Sequence, residues 1–301
     1  MKREKIIIGS RGSILALAQS ENVKEMLEKA FPDLKIEIKK IVTRGDKDLV
    51  SNWNNSDKSL KSFFTKEIEL ELLEGTIDIA VHSMKDMPAI NPEGLICGAI
   101  PKREDNRDVL VSREGKKIFE LPAEAIIGTS SLRRTVGIKN LREDLVVKQL
   151  RGNIHTRLKK LDEGEYDAIL LAAAGLKRVG LEERITQYFD YDELMPAPAQ
   201  GALYIQCREE DEFVRIILNA IHDKEVEEVV TVEREFSKIF DGGCHTPMGC
   251  AAFLNGENLS LKGIFCKEGK VYKTEVEGSV TEGITIAERA AKKIKERLED
   301  E

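Results

Sequence analysis

The sequence predicts an α/β protein with two α/β domains around a cleft, followed by a smaller α+β domain. Three observations predict it. From Lys5 to Ala172, short apolar runs alternate with helix-like segments, which implies parallel or mixed sheets with helices on both faces. After Phe240, strand-like runs follow one another and a helix closes the chain, the order of an α+β domain. The chain has 301 residues, room for two domains of roughly 150 residues or for three smaller ones.

Taken in order, the predicted strands are Lys5–Ile8, Ile36–Val42, Ile77–Val81, Leu95–Ala99, Asp108–Val111, Ala125–Ile127, Leu145–Gln149 and Ala168–Ala172. Predicted helices include Ser13–Lys29, Phe64–Leu73, Asn153–Leu161 and Val226–Phe240. In the last of these Val226, Val229, Val230, Phe236, Ile239 and Phe240 fall mostly on one face. The tail reads as strands Ala251–Leu254, Leu259–Cys266 and Val271–Val276, then an amphipathic helix Ile284–Leu298. The crossings between the first two domains are placed at Pro101–Arg107 and Tyr191–Ala199, where Pro101, Pro196 and Pro198 suit a stiff hinge. The polar loop Ser51–Asp57 has no regular pattern.

Composition excludes several classes. The chain is 41% hydrophobic, too apolar for disorder. With 47 Lys and Arg against 54 Asp and Glu the net charge is −7, and there is one Trp, which argues against a general nucleic-acid binder. The nearly apolar run Ala168–Leu176 is far shorter than the ~20 residues that span a bilayer, so no membrane partner is expected. Ile6-Ile7-Ile8 is too short for a signal-peptide core, and a cytoplasmic protein is expected. Five cysteines without a C-x-x-C pair, and four histidines without ligand spacing, predict neither a disulfide framework nor a metal site.

Four segments share one design, a strand end followed by hydroxyl or cationic residues at a helix start. They are Ser10-Arg11-Gly12-Ser13, His82-Ser83-Met84-Lys85-Asp86, Thr129-Ser130-Ser131-Leu132-Arg133-Arg134, and Arg151-Gly152-Asn153 with Thr156-Arg157. A helix N-terminus presents unpaired N–H groups and a partial positive charge. Ser and Thr cap and donate, and Arg grips carboxylate or phosphate with two parallel bonds. Taken singly, each segment reads as an ordinary capped helix. Together, and with Lys61, they place cations where the macrodipole disfavours them, so local stability does not explain them. In open α/β sheets such loops gather at the carboxyl ends of strands, where ligands bind. A cleft lined with cations in an acidic protein attracts small polyanions.

Asp86 is the one carboxylate of its basic loop. There it is a turn cap, or it stabilises a cationic intermediate, or it accepts and returns protons. Cys244, after Gly242-Gly243 and before Pro247, sits on a loop, and spacing leaves open nucleophile, metal ligand and bystander. Cys97, Cys207, Cys250 and Cys266 lie in or at apolar strand-like runs and are expected to be inert.

With these motifs in order, the sequence resembles the porphobilinogen deaminase (hydroxymethylbilane synthase) family. The resemblance rests on Val81–Asp86, Gly128–Arg134, Leu150–Asn153 with Thr156-Arg157, and Gly242-Gly243-Cys244, together with Val42–Asp46 and Pro196–Ala202. It implies two periplasmic-binding-protein-like (type II) domains around a cleft plus a smaller α+β C-terminal domain. The boundaries expected are 1–101 with 202–219, 102–201, and 220–301. It implies a transferase of heme and tetrapyrrole biosynthesis that condenses four porphobilinogen molecules, releasing ammonia each time. The primer it implies is a dipyrromethane cofactor in thioether linkage to Cys244, and the oligomeric state a monomer. Carried over from the family, Asp86 is catalytic. Lys85, Ser83, Thr129, Ser131, Arg133, Arg134 and Gly152 bind the cofactor. Arg11, Ser13, Lys61, Ser130, Arg151, Arg157 and Gln200 bind substrate. The sequence departs from the family's glycine-flanked lysine at Leu60-Lys61-Ser62-Phe63-Phe64, and His245 is assigned no role.

Three rivals fit less well. A solute-binding module would have no need of Cys244. A lysine Schiff-base or phosphate-transfer enzyme using Lys85 has no P-loop here, and too few aromatics interleave with the arginines for a nucleic-acid groove.

Overall fold

The structure, a computed structural model, describes residues 3–43, 62–240 and 246–300. The loop Ser51–Asp57, Lys61, Cys244 and His245 lie outside the described residues. The chain divides into two compact units, Met1–Arg103 with Ala202–Lys224, and Glu104–Gly201 with Glu225–Glu301.

The first unit is built on a five-stranded sheet of β1 (Lys5–Arg11), β2 (Lys35–Ile41), β3 (Ile79–Ser83), β4 (Leu95–Ala99) and β10 (Leu203–Arg208). The order is β2-β1-β3-β10-β4, with β1 parallel to β2 and β3, and β10 antiparallel to β3 and β4. Both faces must be covered, because the strands alternate apolar residues on each side. On one face Ile6, Ile8, Ile79, Val81 and Ile205 pack with Val23 and Leu27 of α1 (Ile14–Ala30) and with Val214, Ile217 and Leu218 of α6 (Glu212–Asn219). On the other, Ile41, Ile77 and Ala80 meet Ile68 and Leu72 of α2 (Ser62–Leu73).

The second unit holds a sheet of β5 (Asp108–Ser112), β6 (Ile126–Gly128), β7 (Val146–Lys148), β8 (Ala168–Ala172) and β9 (Gln187–Tyr188) in the order β7-β6-β8-β5-β9. Its alternation is direct. Leu110, Ala168 and Leu170 face one core with Ile138 of α3 (Leu132–Leu141), whereas Val109, Val111, Ile169 and Leu171 face the other with Leu158 and Leu161 of α4 (Ile154–Asp162).

The same unit contains an antiparallel meander of β11 (Met248–Asn255), β12 (Asn258–Lys267) and β13 (Lys270–Ser279). Ile286, Ala287, Ala290, Ala291 and Ile294 of α8 (Gly283–Glu299) and Phe236 of α7 (Lys224–Ile239) close one face of it. Gly263 makes room for that Phe236, since a Cβ there would lie 2.6 Å from Cζ. The chain thus adopts the predicted class, two α/β sheets and a small α+β tail. The sequence reading gave no bounds for β9, β10, α3, α6 or the short α5 (Ala173–Arg178), and strand ends differ from it by up to three residues, as at the end of β1, the start of β11 and the end of β13. Among the described residues no helix is long and apolar enough to cross a membrane.

Of the cysteines expected to be inert, Cys207, Cys250 and Cys266 are buried, and burial pushes the Cys207 and Cys266 thiols up to about 11. Cys97 corrects the expectation in part. It is only half-buried, because its side chain lies at a five-residue strand on the sheet edge.

Candidate active site

In the first unit the carboxyl ends of β1 and β3 are neighbours, since Ile8 pairs with Ile79 and Gly9 with Ala80 in parallel register. Arg11 is the last residue of β1 and is half-buried. Two residues on, the Ser13 hydroxyl caps α1 by accepting the Ala16 N–H at 3.3 Å. Beyond Ser83, Met84–Asp86 form a single 3₁₀ turn. Met84 and Met87, 3% and 2% exposed, anchor the turn from beneath and leave Lys85 half-buried and Asp86 exposed. The Met84 N–H donates to the Ala202 carbonyl at 3.0 Å, and Gln19 Nε2 of α1 donates to Ser83 Oγ at 2.8 Å.

A buried polar ladder lies under this loop. His82 Nε2 is 3.2 Å from Gln206 Oε1, and Gln206 Nε2 donates to Glu69 Oε1 at 3.5 Å. Burial, and secondarily the charge of Arg11, lowers the His82 pKa to about 4 despite the Gln206 bond. Burial raises that of Glu69 against the hydrogen bond it accepts from Gln206.

In the second unit β6 is parallel to both β7 and β8, so the loops after β6 and β7 share one sheet end. They are stitched together. The Thr129 N–H donates to the Lys148 carbonyl at 3.0 Å and Ser130 Oγ to the Leu150 carbonyl at 2.9 Å. The Ser131 hydroxyl caps α3 by accepting the Arg134 N–H at 3.4 Å. Asn153 Oδ1 caps α4 through the Thr156 N–H at 2.9 Å. Gly152 has φ +114°, and a Cβ there would press on Thr156 at 2.8 Å, so the bend needs glycine. Arg151 is exposed, and half-buried Arg157 donates from Nε to the Gly152 carbonyl at 2.7 Å.

Arg133 and Arg134 are 5% and 6% exposed, turned inward on a carboxylate that the sequence reading did not single out. Asp108 Oδ2 accepts Arg133 Nη1 at 2.5 Å and its Oδ1 accepts Arg134 Nη2 at 2.7 Å. Burial pushes the Asp108 carboxyl up, but the two guanidiniums outweigh it and hold it well below the usual carboxylate range. Gln200, itself buried, donates to the same Oδ1 and to the Asn106 carbonyl, both at 2.8 Å. One signal was in the sequence, a charged residue heading the apolar strand Asp108-Val109-Leu110-Val111. Arg178 was also missed. It donates to the Gly201 carbonyl at 2.6 Å, and burial lowers its pKa to about 10 against the charge of Glu104.

The start of β11 approaches this cluster. Arg133 Nη1 also donates to the Met195 carbonyl, and the Cys250 N–H donates to the Pro196 carbonyl at 3.1 Å. A Cβ on Gly249 would lie 2.6 Å from the Pro196 oxygen and 2.9 Å from Arg133 Cδ, so only glycine passes here.

Residues 6–216 match the family model described as porphobilinogen deaminase, dipyromethane cofactor binding domain, and residues 228–300 match that of the porphobilinogen deaminase C-terminal domain. A porphobilinogen deaminase of Fusobacterium nucleatum subsp. nucleatum is 60% identical over 98% of this chain and 99% of its own. Those of Geobacillus sp. and Deinococcus radiodurans are each 45% identical, covering 99% and 97% of this chain and 98% and 96% of theirs. A solved methionine-binding protein, MetQ, aligns with TM-score 0.46 and 13% identity over 80% of this chain and 97% of that one. With both of its domain models matched in order and relatives this similar end to end, the chain belongs to the porphobilinogen deaminase family.

Proposed function

We propose that the chain is a transferase that joins four porphobilinogen molecules head to tail into the linear tetrapyrrole hydroxymethylbilane, as its family does. At each step the aminomethyl C–N bond breaks and ammonia leaves. A carbon–carbon bond forms, with loss of a proton from the attacked ring carbon; after the fourth step the bond to the attached pyrroles breaks and water supplies the product's terminal hydroxyl and returns a proton to the ring carbon. The observation that carries the reading is the buried arginine pair of the second unit, inside the span matching the family's cofactor-binding domain. Two guanidiniums share one carboxylate, which leaves one net positive charge within the fold.

The residues fit an acidic pyrrole primer. Arg134 Nε is buried with no acceptor, and Ser130 and Arg151 stand exposed beside the pair's helix and the neighbouring loop. Each pyrrole unit brings an acetate and a propionate, which guanidinium, ammonium and hydroxyl groups bind. Arg133, Arg134, Thr129, Ser131, Ser83, Lys85 and the Gly152 bend would hold the dipyrromethane, with Cys244 as its attachment. The primer would supply the free ring carbon to which the first unit is joined.

Arg11, Ser13, Lys61, Ser130, Arg151 and Arg157 are proposed to hold substrate carboxylates; buried Gln200 spends its Nε2 hydrogens on Asp108 and the Asn106 carbonyl and is proposed to serve the site through Asp108 instead. Asp86, lifted by the two buried methionines, is proposed to stabilise positive charge at the pyrrole nitrogen as ammonia leaves, and to take up and return protons. On the family resemblance the protein is proposed to work as a cytoplasmic monomer.

Intact mass tests the reading. The purified chain is expected to exceed its sequence mass by two linked pyrrole units, and Cys244→Ser to lack the excess. A bare wild-type chain that gains no mass on incubation with porphobilinogen overturns it.

A further inference from the structure

We propose that Asp108 is the positioning residue of the arginine pair, orienting Arg133 and Arg134 so that a ligand carboxylate completes their charge. This rests on the reading above and adds a residue to it. The carboxylate is wholly buried at the head of β5, and each oxygen takes a different guanidinium. Gln200 Nε2 holds one of those oxygens at 2.8 Å, and the Asp108 carbonyl accepts the Phe189 N–H at 3.1 Å, so neither end of the residue is loose.

Charge and donor accounts agree. One anion against two cations leaves one positive charge to be matched, and buried charge is costly until it is matched. Arg134 Nη1 is taken by the Leu170 carbonyl at 3.1 Å and its Nη2 by Asp108, while Nε–H is buried without an acceptor. A second carboxylate satisfies both demands. Without Asp108 the two guanidiniums repel, and among the described residues only one carbonyl each, Met195 for Arg133 and Leu170 for Arg134, still orients them.

The test compares wild type with Asp108→Asn by intact mass and thermal melting, before and after addition of porphobilinogen. The variant is expected to melt lower, to be isolated mostly as the bare chain, and to gain the two-pyrrole mass ~10²-fold more slowly per folded molecule. A purely structural Asp108 would lower melting and leave loading unchanged; that result overturns the proposal. If Asp108→Asn does not fold, the comparison moves to an Arg134→Gln background, where the Asn variant regains the wild-type buried charge. There Asp108→Asn/Arg134→Gln is expected to load about tenfold more slowly than Arg134→Gln alone, and equal rates overturn the proposal. A wild type that never gains the pyrrole mass removes the primer reading and this role with it. A wild type that carries the mass, beside a variant that matches it, removes this role alone.

Discussion

Glu233 Oε2 accepts the Ala199 N–H at 2.7 Å, across 34 residues of sequence, while its Oε1 accepts the Ala252 N–H at 2.9 Å. One buried carboxylate on α7 therefore ties the proline-rich segment before β10 to strand β11. Ala199 has φ +56°, a left-handed conformation that costs a residue with a Cβ about 1 kcal/mol. The bond from its N–H holds that conformation. The next residue, Gln200, reaches Asp108. A continuous polar chain thus runs from the C-terminal meander to the arginine pair.

Replacing Glu233 with Ala strands two buried N–H groups that now share a carboxylate. We expect a loss of about 3 kcal/mol in urea unfolding, and a smaller loss for Glu233→Gln, which keeps one acceptor. Equal stability of Glu233→Ala and wild type would show that the clip holds nothing.

Gly249→Ala forces a methyl against the Pro196 and Met195 carbonyl oxygens, which lie 2.6 and 3.0 Å from the Cβ position. Backbone cannot swing aside as a side chain can, so roughly 1–3 kcal/mol should be lost. Gly12→Ala, whose Cβ meets nothing within 4 Å, should stay within about 0.5 kcal/mol of wild type. Denaturant midpoints of the two variants, measured side by side, decide the matter.

Asp86→Asn should leave melting unchanged, because the side chain is exposed, and slow ammonia release from porphobilinogen by ~10²-fold or more. Turnover near the wild-type rate would refute the proposed role.

The ladder under Ser83 gives a pH signature. The His82 pKa falls from 6.5 to about 4 on folding, so its stabilising contribution is present above 6.5 and is lost as pH drops through 4. The shift corresponds to roughly 3 kcal/mol. Glu69 runs the other way. Its raised pKa gives stability present below 4.5 and lost as pH rises through the folded value, so Glu69→Gln should gain stability at neutral pH. Unfolding free energies at pH 7, 5.5 and 4.5 should show a shallower acid loss in His82→Gln; an unchanged slope would count against the assignment.

The sequence by itself determined most strands of both sheets, several of their helices and the places where loops begin, but not β9 or β10. Those features are local. Ser13, Ser131 and Asn153 each cap within three residues, and Val109-Leu110-Val111 is the short apolar run of a strand buried on both faces. It also supplied the ordered motifs that resemble the family. Only the tertiary structure decided which charge meets which. Asp108 lies 25 residues from Arg133 and 92 from Gln200, and Gln206 lies 124 from His82. Arg133 and Arg134 read in sequence as donors facing a ligand, yet in the fold they first meet an internal carboxylate. A buried ion must be paired, and its partner is set by which strand ends the packed sheet brings together, not by spacing along the chain.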